Sequence, residues 1–335
     1  MPAQHRKSFI AGSSAALASI AFVRRPGDAA EFNYKYAHDM PIGHPVQTSA
    51  VQMWNSVRNE TNGRLSVTVF PANILGSDPA TLTQIRSGAL QFAGLGGSTM
   101  GSVIPVSGIE SIPFAFKTSA DAFRAFDGAL GQHIRHEMEL RGVICLPFLY
   151  ELGFREVSSS THPIHNVGDL ANFKVRVPAS KLIDDVFKTL GASPIVIGVS
   201  EIYIALQTHI ADGQETPYSV IEALRLYEVQ KYLSATNHIW TGLWTVANPA
   251  IWNGLPADVR AVVVRNQEKY ALQERRDVEQ LNNALIQKLV RRGMIFNTVD
   301  TESFKLKLRP SYGRWREEFG PVAWSLLEKA VGKIP

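Results

Sequence analysis

Short alternating segments and longer segments of helical periodicity succeed one another along the chain. Alternation of apolar and polar residues predicts strands at 32–37, 65–70, 90–95, around Cys145, 173–177, 194–199 and 241–248. Helices are predicted at 45–61, 81–87, 119–141, 179–191, after Ser200 as a capping residue, at 219–230 and between 256 and 293. This alternation of strands and helices predicts an α/β fold.

The last of these helices is the most informative because of its length. Neither glycine nor proline occurs between Pro256 and Gly293, and apolar residues recur at helical spacing. One helix of about 35 residues would extend about 50 Å, whereas a small domain is about 30 Å across. Such a helix would lie along two lobes. A break near Arg275–Arg276 into two shorter helices is the alternative.

One predicted strand places a cation at a defined position. Apolar residues at 173, 175 and 177 alternate with Lys174 and Arg176, and Pro178 ends the strand. A guanidinium on a rigid strand can bind a carboxylate through two parallel hydrogen bonds, which lysine cannot do. The alternative is an arginine on a solvated strand face.

Composition and charge limit the classes of function. The chain has 335 residues, 45% hydrophobic and 19% charged, which is typical of a globular protein large enough for two domains. Residues 1–30 contain four basic residues and Asp28, so they account for +3 of the net charge of +4. The remaining +1 gives no support for nucleic-acid binding.

Residues 1–30 are predicted to be an export signal. Arg6 and Lys7 precede an apolar run at 9–23, and small residues near Ala29 offer a cleavage site. The Arg–Lys pair resembles a twin-arginine motif, so the Sec and Tat routes both stay open. We therefore expect a periplasmic protein; a cytoplasmic protein with an apolar N-terminal helix is the alternative.

Cys145 is the only cysteine. It lies in an apolar run, where a buried thiol is expected. A single cysteine excludes a disulfide framework and a cysteine-based structural metal site. Because no cysteine follows the leader, no lipid anchor is expected.

Several apparent motifs are incomplete. Residues 94–99 begin like a dinucleotide-binding loop, but Thr99 stands where the third glycine belongs. We interpret this segment as a strand-end loop in which Ser98 could face a ligand, or as a plain turn. His133 and His136 lie beside charged residues on a predicted exposed helix, which favours a solvated face over a metal site. We expect neither a catalytic set nor a cofactor.

Tryptophans are concentrated near position 240. Trp240 and Trp244 are expected to lie mainly in the core, although either could form a pocket wall, since indole combines apolar area with one hydrogen-bond donor.

The ordered set of short blocks in the mature chain resembles a known family. The blocks are 44–45, 60–64, 70–71, 75–76, 112–116, 169–178, 201–207, 211–215 and 237–238. They resemble the DctP-type solute-binding proteins of tripartite ATP-independent periplasmic (TRAP) transporters.

This resemblance implies a two-lobed α/β fold of the periplasmic binding protein type, with hinge strands and a long C-terminal helix across both lobes. Lobe I would comprise 31–153 and about 242–281, and lobe II 154–241 and about 282–335. It also implies capture of a small organic acid between the lobes and delivery to a sodium-driven membrane permease. A binding component of an extracytoplasmic sensor, or a secreted enzyme, are the alternatives to such a binding protein, which we expect to be a monomer.

The resemblance also implies a binding set. Arg176 corresponds to the arginine that pairs with the ligand carboxylate, Arg155 to a second arginine of the cleft, and Val199 to an apolar wall. Glu215, Thr216, Ser98, Trp244 and His38 complete the expected set. Thr216 and Ala179 replace polar residues that are frequent in the family, which favours a smaller or more apolar monocarboxylate than a sialic acid.

Overall fold

The computed structural model describes residues 30–334, apart from the side chain of Asn283. The export signal predicted at 1–30 therefore lies, except for Ala30, outside the described residues. Within 30–334, no helix has the length and apolar character that a membrane span requires.

Ten strands and twelve α-helices follow one another within residues 30–334. The strands are β1 (Phe32–Ala37), β2 (Leu65–Phe70), β3 (Phe92–Gly96), β4 (Ile144–Cys145), β5 (Tyr150–Ser159), β6 (Lys174–Val177), β7 (Ser193–Val196), β8 (Gly213–Pro217), β9 (Tyr232–Ala247) and β10 (Ile295–Thr298). The helices are α1 (Pro45–Glu60), α2 (Asp78–Ser87), α3 (Gly97–Met100), α4 (Ser119–Asp127), α5 (Ala129–Leu140), α6 (Lys181–Leu190), α7 (Ile202–Gln207), α8 (Tyr218–Ala223), α9 (Pro249–Gly254), α10 (Ala257–Arg291), α11 (Thr301–Leu308) and α12 (Ser311–Val331). The predicted α/β class is confirmed.

Two long antiparallel strands connect the two halves of the molecule. The sheet has the order β2-β1-β3-β9-β5-β8-β6-β7, with β4 and β10 also paired to β9. The C-terminal end of β9 pairs with β3, and its N-terminal end pairs with β10. β5 pairs with β9 on one side and with β8 on the other. Parallel strands β1–β3 and β6–β8 are thus held together by β5 and β9, which occupy the place of hinge strands.

The long helix predicted near the C-terminus is continuous. α10 has 35 residues and shows no break at Arg275–Arg276. Its amino-terminal half packs against α1, and its later part contacts β5, α8 and β10. Glu274 accepts a hydrogen bond from the backbone N–H of Glu151 at 2.8 Å, and Arg275 donates to the carbonyl of Leu149 at 3.1 Å. α10 is therefore attached to the hinge strand β5 while spanning both halves.

Three local predictions are wrong. The helix predicted at 119–141 is divided into α4 and α5 at Gly128, where a side chain would meet the carbonyl of Arg124 at 2.6 Å. The helix predicted at 219–230 ends at Ala223, followed by Arg225 in the left-handed conformation. Ser200 lies in a short 3-10 turn and does not cap α7.

The C-terminal region contacts both halves. α11 packs against α6, whereas α12 packs against α4 and α5. The lobe boundaries stay a prediction, and α12 lies against elements of the segment 31–153 although 282–335 was expected in lobe II. Cys145 is half-buried in the two-residue strand β4, and burial raises the pKa of its thiol to about 12.

Candidate functional site

A narrow cavity lies between the two halves of the sheet, at the end of β1, β3 and β6. It has a volume of about 40 Å³, which is room for about three water molecules. Its lining combines four charged residues, four hydroxyls and an apolar remainder: Asp39, Asp78, Arg155, Arg176; Ser98, Thr99, Thr216, Thr241; Met40, Gly96, Leu152, Pro178, Val199, Val220 and Leu243. A small polar ligand is the kind of molecule that such a lining suits.

Arg176 is held rigidly at this cavity. It lies on β6 with 1% of its surface exposed, so the alternative of a solvated arginine is excluded. Its Nε donates to the carbonyl of Ile197 at 2.8 Å, which fixes the guanidinium plane. Within residues 30–334 the terminal nitrogens of Arg176 form no salt bridge. Burial lowers the pKa of Arg176 to about 10, which still leaves it charged at neutral pH.

Arg155 has the opposite character, because it is already paired. Its Nε and one terminal nitrogen bind both carboxylate oxygens of Glu215, and the same terminal nitrogen donates to the Glu215 carbonyl at 2.8 Å. His238 Nε2 lies 3.3 Å from Oε2 of Glu215, the same oxygen that Arg155 Nε binds. Burial alone would raise the pKa of Glu215, but the charge of Arg155 and the hydrogen bonds from His238 and Arg155 outweigh it and the pKa is lowered. The pair contributes almost no net charge to the cavity.

Two carboxyl groups face the same space as the arginines. Asp39 follows β1 and is 8% exposed, and its Oδ1 has no hydrogen-bond partner among residues 30–334. Asp78 begins α2 and accepts a hydrogen bond from Asn73 at 3.0 Å. Burial and the charge of Asp78 raise the pKa of Asp39 well above its usual value, although Arg176 opposes this shift. The cavity can therefore accept hydrogen bonds as well as donate them.

The turn that contains Ser98 is held in place by buried residues that do not line the cavity. A Cβ at Gly97 would lie 2.5 Å from the carbonyl of Ser107, so only glycine allows this close approach. The backbone N–H of Ser98 donates to Glu110 at 3.2 Å, and Trp244 Nε1 donates to the other oxygen of Glu110 at 2.8 Å. Trp244 is fully buried and thus positions the turn through Glu110 without lining the cavity.

Some of the other expected site residues line the cavity, and others only support residues that line it. Val199 and Thr216 line the cavity together with Arg155, Arg176 and Ser98. Glu215 and His38, like Trp244, lie behind the lining.

The ring of His38 is 2% exposed. Its Nε2 lies 2.7 Å from Gln47 and its Nδ1 accepts from the backbone N–H of Met40 at 3.1 Å, so His38 orients the segment that carries Asp39. Burial lowers the pKa of His38 to about 4, so the ring is neutral at physiological pH.

Asp39 and Asp78 are the main lining residues that sequence reasoning missed. Asp39 comes two residues after the end of the buried strand β1, and Asp78 stands where α2 begins. Ligands of open α/β sheets bind beyond the carboxyl ends of the strands. This rule applied to β1 would have indicated Asp39, whereas no local signal marks Asp78. Over residues 30–334, no group of three or more His, Cys, Asp or Glu side chains is arranged to bind a metal.

Comparison with known proteins places this arrangement in a family. The sequence profile described as "Bacterial extracellular solute-binding protein, family 7" (DctP) matches residues 36–318. The uncharacterized protein y4mM of Sinorhizobium fredii is 32% identical over 272 residues, which is 81% of this chain and 50% of that protein. The chain thus spans about half the length of this relative.

Two further proteins match most of their own length. The 2,3-diketo-L-gulonate-binding periplasmic protein YiaO of Escherichia coli is 29% identical, covering 77% of this chain and 79% of YiaO. The crystal structure of a TRAP periplasmic solute binding protein from Polaromonas sp. JS666, bound to D-erythronate, has a TM-score of 0.86 and 29% identity, covering 90% of this chain and all of that one. These likenesses confirm the expected two-lobed fold. Matched over most of its length, the chain belongs to the DctP family of solute-binding proteins.

Proposed function

We propose that this protein is a periplasmic solute-binding protein that captures a short hydroxylated monocarboxylate and delivers it to a TRAP membrane permease. The observation that carries the proposal is Arg176, a buried guanidinium at the cavity whose terminal nitrogens have no salt-bridge partner among residues 30–334. A carboxylate bound there would complete its hydrogen bonding and balance its charge.

The size of the cavity supports a small ligand. About 40 Å³ is available between the lobes as they stand. A four-carbon acid is already larger than about three water molecules, so binding requires the lobes to separate, but it requires much less separation than a nine-carbon sugar acid. The D-erythronate of the Polaromonas protein is an acid of the smaller size.

The lining supports hydroxyl groups on that ligand. Four side-chain hydroxyls and the carboxyl groups of Asp39 and Asp78 surround the space. Asp39 Oδ1 has no partner among the described residues, and a ligand hydroxyl would supply a donor for it. This preference narrows the expectation of a smaller or more apolar acid toward the small, hydroxylated class.

Capture depends on closure of the lobes. Arg176 lies on β6 in one half, while Ser98 and Asp39 lie near the ends of β3 and β1 in the other. A ligand that touches both halves stabilises the closed form by the contacts it makes only there. Delivery to a permease, export to the periplasm, a monomeric state and the lack of turnover are parts of this proposal that rest on family membership.

A thermal-shift screen of organic acids followed by calorimetry tests the proposal. A ligand that binds only the native protein raises its melting temperature. We expect short hydroxy monocarboxylates to give the largest shifts. Tight binding of sialic acids alone would refute the proposed ligand class.

Variants at β6 test the role of Arg176. Arg176→Ala should weaken binding by about 2–5 kcal/mol, which is roughly 30- to 5,000-fold, because one partner of a buried ion pair is removed. Arg176→Lys keeps the charge but loses the paired hydrogen bonds. Lys174→Ala is the matched control, since Lys174 lies two residues away on the same strand and is exposed. Unchanged binding by Arg176→Ala would contradict the assignment.

A further inference from the structure

A second and much larger cavity lies behind the hinge strands. It has a volume of about 620 Å³, within the range of small-molecule sites. Its walls come from α4, β5, α8, β9 and α10: Thr118, Ser119, Ala120, Phe123, Glu151, Phe154, Glu156, Tyr218, Asn237, Leu272, Arg275, Arg276, Glu279 and Asn282. None of these residues lines the cavity between the lobes.

The two cavities lie on opposite faces of β5. Leu152 and Arg155 line the cavity between the lobes, whereas Glu151, Phe154 and Glu156 line the cavity behind the hinge. Glu151 and Phe154 face the same cavity although they are three residues apart, because the pairing of β5 with β9 shifts by one residue between Glu151 and Gly153. A rotation of the lobes that narrows the cavity on one face of β5 therefore widens the cavity on the other face.

The polar lining of the hinge cavity is rich in acceptors. Glu156 is completely buried; its Oε2 accepts from the backbone N–H of Asn237 at 2.9 Å, while its Oε1 has no partner among the described residues. Oδ1 of Asn282 is likewise buried and unpartnered there. A buried acceptor without a donor is unfavourable, so a ligand that supplies donors is stabilised by hydrogen bonds to these oxygens.

The charges favour a cation over an anion once Glu156 is ionised. Glu151 and Glu156 are buried at the back of the cavity, and Glu279 lies at its exposed rim. Burial raises the pKa of Glu151 and raises the pKa of Glu156 to about 8, so a cation at Glu156 binds with release of the proton of this carboxyl group and is favoured by alkaline pH. Arg275 is already bound to both oxygens of Asp127, so its charge is balanced within the protein. Arg276 is exposed and is the remaining lining cation.

Aromatic side chains form most of the apolar lining, together with Ala120 and Leu272. The guanidinium of Arg275 stacks over the ring of Phe123, 4.0 Å from its centroid. Phe154 and Tyr218 are half-buried and line the cavity together with Glu156. Aromatic walls with a carboxylate at one end suit a ligand with an apolar body and a cationic head.

We propose that the hinge cavity binds a small organic ammonium ion with an aromatic or apolar body, its ammonium group at Glu156 and Asn282. Because the cavity is walled by α4 from one half and α8 from the other, an occupant resists its narrowing. The hinge cavity narrows when the cavity between the lobes opens. A ligand in the hinge cavity therefore favours the form in which the lobes are closed.

Calorimetry of the full chain with 2-phenylethylammonium chloride at about pH 9, where Glu156 is ionised and an alkylammonium ion keeps its proton, tests the site. We expect saturable binding with a dissociation constant of about 1 mM or tighter. 2-Phenylethanol, which has the same body without the charge, should bind more weakly by about tenfold or more. No saturable binding of the ammonium ion, or equal binding of the alcohol, would overturn the proposal.

Two variants locate the binding. Glu156→Gln keeps an oxygen for the N–H of Asn237 but replaces the free acceptor by a donor, and should weaken binding roughly 10- to 100-fold. Glu139→Gln, an exposed glutamate on α5, is the matched control. If Glu156→Gln does not fold, Asn282→Leu removes the other acceptor and should weaken binding about tenfold. Undiminished binding by the folded variants would place the ammonium elsewhere and overturn the proposal.

The effect on closure is measured separately and rests on the proposed carboxylate function. Saturating 2-phenylethylammonium should increase the affinity for the cleft carboxylate in the wild type but not in Glu156→Gln, by linkage between the two sites. Carboxylate affinity that is unchanged by a bound ammonium ion would refute the coupling. Failure of the carboxylate screen would instead count against the proposed function, since ammonium binding is scored without a carboxylate.

Discussion

The carboxyl group of Asp39 should make ligand binding depend on pH. Arg155 is paired with Glu215, whereas Arg176 has no salt-bridge partner among residues 30–334 and faces both Asp39 and Asp78. If both aspartates were ionised, a bound carboxylate would enter a closed site that is already negative. We predict that the closed complex holds one proton on this pair, with Asp39 as its main site.

The sign of the effect follows from the direction of the pKa shift. Burial raises the pKa of Asp39 well above its usual value in this form, and the nearby charge of Asp78 raises it further, while Arg176 and Arg155 oppose the shift. With the lobes apart, water would return the pKa of Asp39 toward about 3.9. Between these two values closure takes up one proton, so affinity for the carboxylate falls as the pH rises.

The magnitude is set by the number of protons. One proton per ligand lowers the affinity tenfold for each pH unit, or about 1.36 kcal/mol per unit. The same raised pKa acts on folding: the native state holds the proton more tightly than the unfolded chain, so this contribution to stability is present at low pH and is lost as the pH rises.

Calorimetry from about pH 5 to about pH 8 measures the slope, with Asp39→Asn as the perturbation. The wild type should give a slope of log affinity against pH that approaches −1, and the variant a slope near zero, because its amide is neutral throughout. Asp277→Asn, an exposed aspartate on α10, is the control and should behave as the wild type. A flat wild-type profile would refute the charge argument, and an unchanged slope in Asp39→Asn would place the proton elsewhere, with Asp78 the next candidate.

Two further predictions concern stability. Arg275→Ala should lower the free energy of unfolding in urea by about 1–3 kcal/mol, because it removes two charged hydrogen bonds from Asp127, which is partly exposed; an unaltered urea midpoint would contradict this. Gly213→Ala should lower it by about 1–3 kcal/mol, since a Cβ there would lie 2.2 Å from the carbonyl of Ser158 and 2.4 Å from the ring of Phe173. A melting temperature equal to that of the wild type would contradict this prediction, because it would show that β5 and β8 can move apart without a loss of stability.

Features that depend on local pattern could be predicted from the sequence. β1, β2 and α1 lie within a residue of the predicted bounds, since alternation and helical periodicity are properties of the segments themselves. The length of α10 followed from the lack of glycine and proline. Arg176 lines the cavity, and its role in ligand binding stays a prediction.

Features that depend on tertiary contacts could not be predicted in the same way. β9 extends nine residues before its predicted start at 241, because β5 and β10 pair with a segment whose own pattern is weak. Asp78 reaches the cleft only because α2 begins beside it. The pairing of Arg155 with Glu215 joins residues 60 positions apart, and nothing in either segment distinguishes a paired arginine from a ligand-binding one.

The contrast between the two arginines explains how one cleft can contain both without repelling itself. Two unpaired guanidinium groups in a closed space would destabilise each other's charged form, and the charge of Arg155 contributes to the lowered pKa of Arg176, after the larger effect of burial. Glu215, held in turn by His238, removes that repulsion from Arg155 and ties β5 to β8 at the hinge. Arg155 can then orient polar groups of a ligand, but its carboxylate partner is already supplied by the protein. The Nε of Arg176 donates to the carbonyl of Ile197, and its terminal nitrogens form no salt bridge among residues 30–334, so they are available to the carboxylate of a ligand. We therefore expect Arg176 to contribute more to the free energy of ligand binding than Arg155.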